Sequence, residues 1–439
     1  MKSIPSSQNT ALTFLSVLFL LGGSLLMLPF GRLNEFGTVP YFLLGALALC
    51  FGFVCSWQIS TLSPTVFWGA AILTRLLLLW QVPGDDIYRY VWEGRVLLSG
   101  INPYLHAPDS SILEDLRDIV WKAVEYKGVT AIYPPLTEFL FAFFSFLSPT
   151  PFFFKVIFAS ADIAILYLLT REFGQKEARL YAWNPLVIYC FAGGGHYDSL
   201  FILALVIGWL SYRRERIILA ALFIGVAIAL KWIALSLAGW ILWRTLYSKQ
   251  YRAILPILLA LSLPMIGSWV LLSFWTDEWT FQIFPKQFTQ YVRSVEFIPA
   301  IVGHFWKESL KHNDWFLIPL ALFWLVAILR SRSYEGAIEW IFFLLWIFSP
   351  MMHAWYFTWI IPFAVLTRNR GSIAISISGF FYFSIHHYFQ SPGGQWALPP
   401  QVAFLMWSPL ILGFLWSTGT VPVNQSLPQK NREGVNEVS

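Results

Sequence analysis

Two adjacent carboxylates, Asp85 and Asp86, stand near the start of the stretch PGDDIYRYVWEGRVLLSGINPY (83–104), directly after an apolar run. On a helix, Asp85 and Arg89 are four residues apart, and Arg89 and Glu93 repeat that spacing. Arg95 follows, and Tyr88, Tyr90 and Trp92 interleave with the charges. A carboxylate at a membrane surface can take the proton of an attacking hydroxyl, and aromatic faces stack on sugar rings. Adjacent Asp85 and Asp86 also suit a divalent cation, Mg²⁺ or Mn²⁺, the one cofactor the pattern admits. A solvated, salt-bridged helix accounts for the spacing as well.

Four further groups carry unusual side chains. GINPY (100–104) contains Asn102 and Tyr104, and IYPPL (132–136) contains Tyr133; both read as turns. Between them, DLRDIVWKAVEYKG (115–128) has the pattern of a short amphipathic helix on the membrane surface. In WNPLVIYCFAGGGHYDSL (183–200), three glycines precede His196 and Asp198; glycine lets a ligand approach the backbone closely. Lys231 lies within IALKWIAL, where a cation at the membrane edge points to function or to a snorkelling side chain. In SPMMHAWYFTWIIPF (349–363), His353, Trp355 and Tyr356 form a polar-aromatic group, whereas His386 and His387 read as interfacial.

The elements that must position these residues are membrane helices. Of 439 residues, 57% are hydrophobic and 12% charged, half the charge of a soluble domain. Mean hydropathy is +0.62. Apolar runs recur from residue 11 to 417, which predicts an all-α polytopic protein with about 13–14 transmembrane helices. The expected spans are 11–30, 41–57, 65–80, 151–170, 179–193, 197–212, 217–231, 232–246, 253–275, 315–330, 336–350, 355–367, 372–388 and 400–417. Basic clusters at 171–179, 213–216, 244–252, 330–332 and 368–370 become cytoplasmic together under the positive-inside rule. Residues 135–147 are then too short to span and dip into the outer face. Both termini fall inside, and 81–150 and 276–314 become outer loops. The tail reads as disordered, and no run of charge suits nucleic acid. The first span has no cleavage signal. Cys50, Cys55 and Cys190 read as small buried hydrophobes.

In order, DDIYRYVWEGRVLLSGINPY, IYPPL, WNPLVIYCFAGGGHYD, the lysine of LKW and SPMMHAWYF resemble the integral membrane glycosyltransferases of the C-type fold (GT-C). The likeness is to bacterial polyprenyl-phosphomannose-dependent mannosyltransferases and spans about 65–417. Residues 1–64 then look like an added helix pair and 418–439 like a cytoplasmic tail. The resemblance implies a polyprenyl-phosphate-linked sugar donor, most plausibly of mannose, and transfer to a glycan, lipid or protein acceptor on the extracytoplasmic face of the inner (plasma) membrane. It implies an acid in the first outer loop as base; Asp85 matches best, with Asp86 beside it. Lys231, with Arg89 or Arg95, is expected to meet the lipid phosphate. Trp92, Tyr133, His196, Trp355 and Tyr356 are expected to line the sugar site. Glu93, Asn102, Tyr104, Asp198 and His353 complete the expected substrate contacts, and membrane lipids surround the chain. A flippase of lipid-linked glycans or an inactive scaffold is the alternative.

Overall fold

The computed structural model describes residues 6–279 and 292–420. Among these there is no strand; Ser294 and Met351 form an isolated parallel bridge. Residues 280–291 of the second expected outer loop and the tail 421–439 lie outside the described residues.

Six helical stretches are long and apolar enough to cross a membrane: Ser6–Phe30, Thr38–Ser56, Pro151–Phe173, Tyr251–Thr276, Asn313–Arg330 and Pro400–Ser417. Shorter apolar helices are Pro64–Leu78, Pro135–Leu147, Ile217–Leu230 and Ala354–Thr367. Asp198–Arg213, Leu235–Tyr247 and Tyr334–Phe348 are also helical. The expected span 179–193 is broken. Helix Gln175–Ala182 stops before Asn184-Pro185, a short helix Pro185–Ile188 restarts, and a wide turn runs Tyr189–Gly193. Pro185 lacks an N–H and cannot continue the first helix. The Asn184 side-chain Oδ1 accepts from Val187 N at 3.1 Å and caps the second.

Small residues let the first two helices touch. A Cβ on Gly52 would stand 2.7 Å from the Ser16 carbonyl, and the Ser16 hydroxyl donates to the Gly52 carbonyl at 2.5 Å. Buried residues of this pair, Leu20, Met27 and Phe42 among them, share one core with the helices that follow.

Two buried cations fix the frame beneath the first outer loop. Arg75 Nε donates to Asp162 Oδ2 at 2.6 Å, with side chains 2% and 0% exposed. Its Nη1 reaches the Ala182 carbonyl at 2.8 Å, so three helices meet at one guanidinium. Lys155 Nζ donates to the carbonyls of Leu78 (2.9 Å) and Gln81 (2.6 Å). These are groups at and beyond the end of helix Pro64–Leu78, where a cation offsets the helix dipole and satisfies carbonyls that the helix itself leaves open. The chain therefore leaves that helix in a fixed direction, toward Asp85.

The first outer loop packs as two crossed helices. Asp86–Leu98 lies on Pro135–Leu147, and Gly94 allows the approach: a Cβ there would stand 2.3 Å from the Phe141 carbonyl. The expected amphipathic helix over 115–128 is mostly absent. A 3₁₀ turn covers Ser111–Leu116 and a helix only Ile119–Ala123. Asp118 caps that helix through Val120 N and Trp121 N, Val124 turns extended, and Tyr126 has a positive φ of 50°. One short turn satisfies these local bonds and ends the periodicity.

Candidate active site

Asp85 is the N-cap of helix Asp86–Leu98, its Oδ1 accepting the Asp86 N–H at 3.0 Å. Asp86, one residue on, faces a different set of groups. The Tyr90 hydroxyl donates to its Oδ2 at 3.4 Å, and His196 Nδ1 lies 3.5 Å from the same oxygen. Gly84 N donates to the Gly194 carbonyl at 3.0 Å, which joins this stretch to the glycine turn before His196. Gly195 has a φ of +76°, a conformation glycine adopts without strain. A side chain there would press within 2.8 Å of Ile87.

Trp355 is sandwiched between two imidazoles. Its ring stacks on His196 at 3.8 Å and on His353 at 4.5 Å. His353 Nδ1 shares a 2.6 Å hydrogen bond with the Tyr382 hydroxyl. Lys231, in extended backbone just past helix Ile217–Leu230, places its ammonium 2.5 Å from Asp198 Oδ1. The Tyr197, Tyr356 and Trp359 rings surround that ammonium with centroids 4.9, 4.9 and 5.0 Å away. Trp359 Nε1 donates to the same Asp198 oxygen at 2.6 Å.

The two aspartates are shifted in opposite directions. Burial, then the charges of Asp86 and Glu125, raise the Asp85 carboxyl well above its ordinary value. Burial alone would raise Asp86 too; hydrogen bonding and charge from His196, with His353 and Lys231, bring it below the ordinary carboxylate value instead. Burial, with His196 and Lys231, lowers His353 to about 4, against the pull of Asp86. The two neighbouring carboxyls are thus pushed in opposite directions, Asp85 toward holding its proton and Asp86 toward giving it up, an arrangement that separates proton holder from proton acceptor.

A family model described as alpha-(1->6)-mannopyranosyltransferase, N-terminal domain, matches residues 10–246, more than half of the chain. The chain belongs to this family of GT-C mannosyltransferases. Among curated proteins none matches it. Family membership and the apolar helices make it an all-α, multi-pass membrane protein, and the family implies a sugar donor and a glycan acceptor.

In this mannosyltransferase-family chain, the residues singled out in the sequence divide into two sets. Asp85, Asp86, Tyr133, Lys231, His353, Trp355 and Tyr356 are half-buried and reachable from solvent, with His196 and Asp198 buried behind them. Arg89, Trp92, Glu93, Arg95, Asn102 and Tyr104 have other partners. Arg89 donates to Glu93 at 2.9 Å and to the carbonyls of Glu125, Tyr126, Val129 and Thr130. The expected Asp85–Arg89 pair is replaced by Arg89–Glu93, because Asp85 precedes the helix and turns back on its own backbone. Arg95 donates to Asp118 at 2.6 Å and to the Leu116 carbonyl, so both arginines anchor the loop. Trp92 is 1% exposed and packs in the core beneath the loop. Asn102 accepts from Tyr104 N at 3.0 Å, and the Tyr104 hydroxyl donates to the Tyr133 carbonyl, tying the two expected turns together.

Tyr90, already marked by the sequence pattern, helps build the walls. Several other neighbours had no such mark: Tyr197, Trp359 and Tyr382 complete the walls, and Lys155 holds the approach to Asp85. Glu138 is fully buried beside Glu93; burial, then the Glu93 charge, raises it well above a normal carboxyl. A glutamate three residues after Pro135 in an apolar run was the available signal. For a divalent cation, Asp85 and Asp86 offer two carboxylates, but no group of three His, Cys, Asp or Glu side chains forms a cation site among the described residues. No step is therefore routed through a metal.

Proposed function

We propose that the protein moves a mannosyl group from a polyprenyl-phosphate donor to a hydroxyl of an extracytoplasmic glycan, lipid or protein acceptor, forming the alpha-(1→6) linkage named in its family's description. Asp86 accepts the proton of the attacking hydroxyl. The acceptor oxygen bonds to the sugar C1 as the C1–O(phosphate) bond breaks, and the polyprenyl phosphate departs with that electron pair. Asp85, the carboxyl more reluctant to ionise, eases charge repulsion beside Asp86. Lys231 faces the departing phosphate: an ammonium has three donors, and Asp198 takes one. Tyr133, Trp355 and Tyr356 offer ring faces to the sugar.

The observation that carries this reading is the solvent-reachable Asp86 carboxylate, 3.5 Å from His196, in the same cluster as a caged ammonium. The geometry favours Asp86 over Asp85 as base, since Asp85 is engaged as a helix cap. A flippase would need polar groups strung along a path through the bundle. Arg75 and Asp162 lie deep in it, but they are fully buried and neutralise each other. The test is incubation of the purified protein and its Asp86→Asn variant with polyprenyl-phosphate sugars and mannose-terminated acceptors, followed by mass spectrometry. The reading expects consumption of the mannose donor by the parent alone. Turnover of no mannose donor, or equal turnover by the variant, refutes it.

A further inference from the structure

At the end of the bundle opposite Asp86, four basic side chains rim a groove with an apolar floor. Helix Pro151–Phe173 separates the two ends: Lys155 reaches the stretch of chain leading to Asp85, and about 28 Å of helix later the chain turns at Gly174 into Lys176. The groove has a volume of about 690 Å³, within the range of small-ligand clefts. Lys176, Arg179, Arg368 and Arg370 line it together with the apolar Ile373, Ile377, Phe381 and Leu405.

Its walls are rigid. Helices Arg370–Ser378 and Pro400–Thr420 cross at Gly371, where a Cβ would stand 2.5 Å from the Leu410 carbonyl. Arg179 is buried and donates to the Ile59 carbonyl at 2.9 Å, and the Arg370 guanidinium lies 4.6 Å over the Trp416 ring. Glu177, paired with Arg368, is the acid at the rim. Four cations against one acid leave a strong positive excess beside a slot that continues into apolar surface. A soluble anion has no use for that slot, and a zwitterionic lipid gains nothing from the net charge.

We propose that this groove holds an anionic phospholipid, one acyl chain lying along Ile373, Ile377 and Phe381 and the headgroup phosphate resting on Lys176, Arg368 and Arg370. Charge complementarity is the deciding argument: basic pockets between membrane helices recognise anionic headgroups, and each cation near such a headgroup contributes about a fivefold gain in binding. The site is separate from the proposed transfer chemistry and does not depend on it.

Native mass spectrometry of the full chain in detergent tests this, titrating dioleoyl phosphatidylglycerol or dioleoyl phosphatidylcholine. Phosphatidylglycerol is expected to bind at least about tenfold tighter than phosphatidylcholine. Lys176→Glu with Arg370→Glu removes that preference. Ala374→Trp, which fills the groove and leaves every charge in place, lowers phosphatidylglycerol binding about tenfold or more. Arg330→Glu with Arg332→Glu, at another basic helix end, leaves it unchanged. Equal binding of the two lipids, equal loss in the Arg330/Arg332 pair, or undiminished binding by Ala374→Trp each overturns the proposal. If charge reversal prevents folding, Ala374→Trp decides the matter alone.

Discussion

The Lys231 ammonium lies 2.5 Å from the Asp198 carboxylate, and three aromatic rings close around it. The pair joins the start of helix Asp198–Arg213 to the turn after Ile217–Leu230. Lys231→Ala is expected to lower kcat/KM for the donor by about 100-fold or more, the scale of one lost electrostatic contact to developing charge. Removal of Lys231 also strands a buried carboxylate, so Asp198→Asn combined with Lys231→Ala separates the roles. If the double variant regains activity, the lysine serves only as counter-ion.

Asp86→Asn is expected to reduce turnover by at least about 100-fold, with donor binding retained. Asp85→Asn is expected to reduce it far less, since the Asp85 side chain is engaged as a helix cap. Chelator is expected to leave turnover of the parent unchanged. A larger loss at Asp85 than at Asp86, or inhibition by chelator, reverses the assignment.

The pH profile follows from the same charges. His196 helps hold Asp86 below the ordinary carboxylate value, so the acidic limb of kcat/KM lies below the ordinary range. His196→Ala moves that limb upward, and an unmoved limb shows that Asp86 does not set it. His353 affects stability: its folded value, about 4, lies below its ordinary 6.5. The unfolded chain therefore binds the proton more readily, and the stabilisation is complete above about 6.5 and lost as pH falls toward 4. Melting temperature in detergent should drop across that window, and His353→Gln should flatten the drop.

Arg89 anchors the loop 125–130 through four carbonyls. A lysine there cannot reproduce the planar fork. Arg89→Lys is expected to cost about 1–3 kcal/mol, the scale for leaving buried carbonyls without a partner. Limited proteolysis at 125–130 and a lower melting temperature are the readouts. A wild-type cleavage pattern contradicts the anchoring role.

Orientation is checked by single cysteines and an impermeant thiol reagent on intact cells. Positions 176, 214 and 370 are expected to stay unlabelled from outside, and position 109 in the first loop to react. Labelling at 214 inverts the topology.

Hydropathy and breaker residues in the sequence carried the helical frame. Most expected spans, such as 217–231 and 400–417, meet helices Ile217–Leu230 and Pro400–Thr420 within a few residues, because a helix in lipid must satisfy its own backbone and present apolar side chains for its whole length. Local chemistry was legible only in part. Asp85–Arg89 and Arg89–Glu93 have the same spacing, and the helix start at Asp86 decided between them. The tertiary structure alone put Trp355 between His196 and His353, drew Asp86 toward His196 and Lys231 toward Asp198, and turned Arg89 and Arg95 toward loop carbonyls. His196 and Trp355 lie far apart in the chain, and no periodicity spans that distance. Their contact depends on how the helices pack, and no sequence spacing encodes it; close crossings at glycines such as Gly94 and Gly371 are part of that packing.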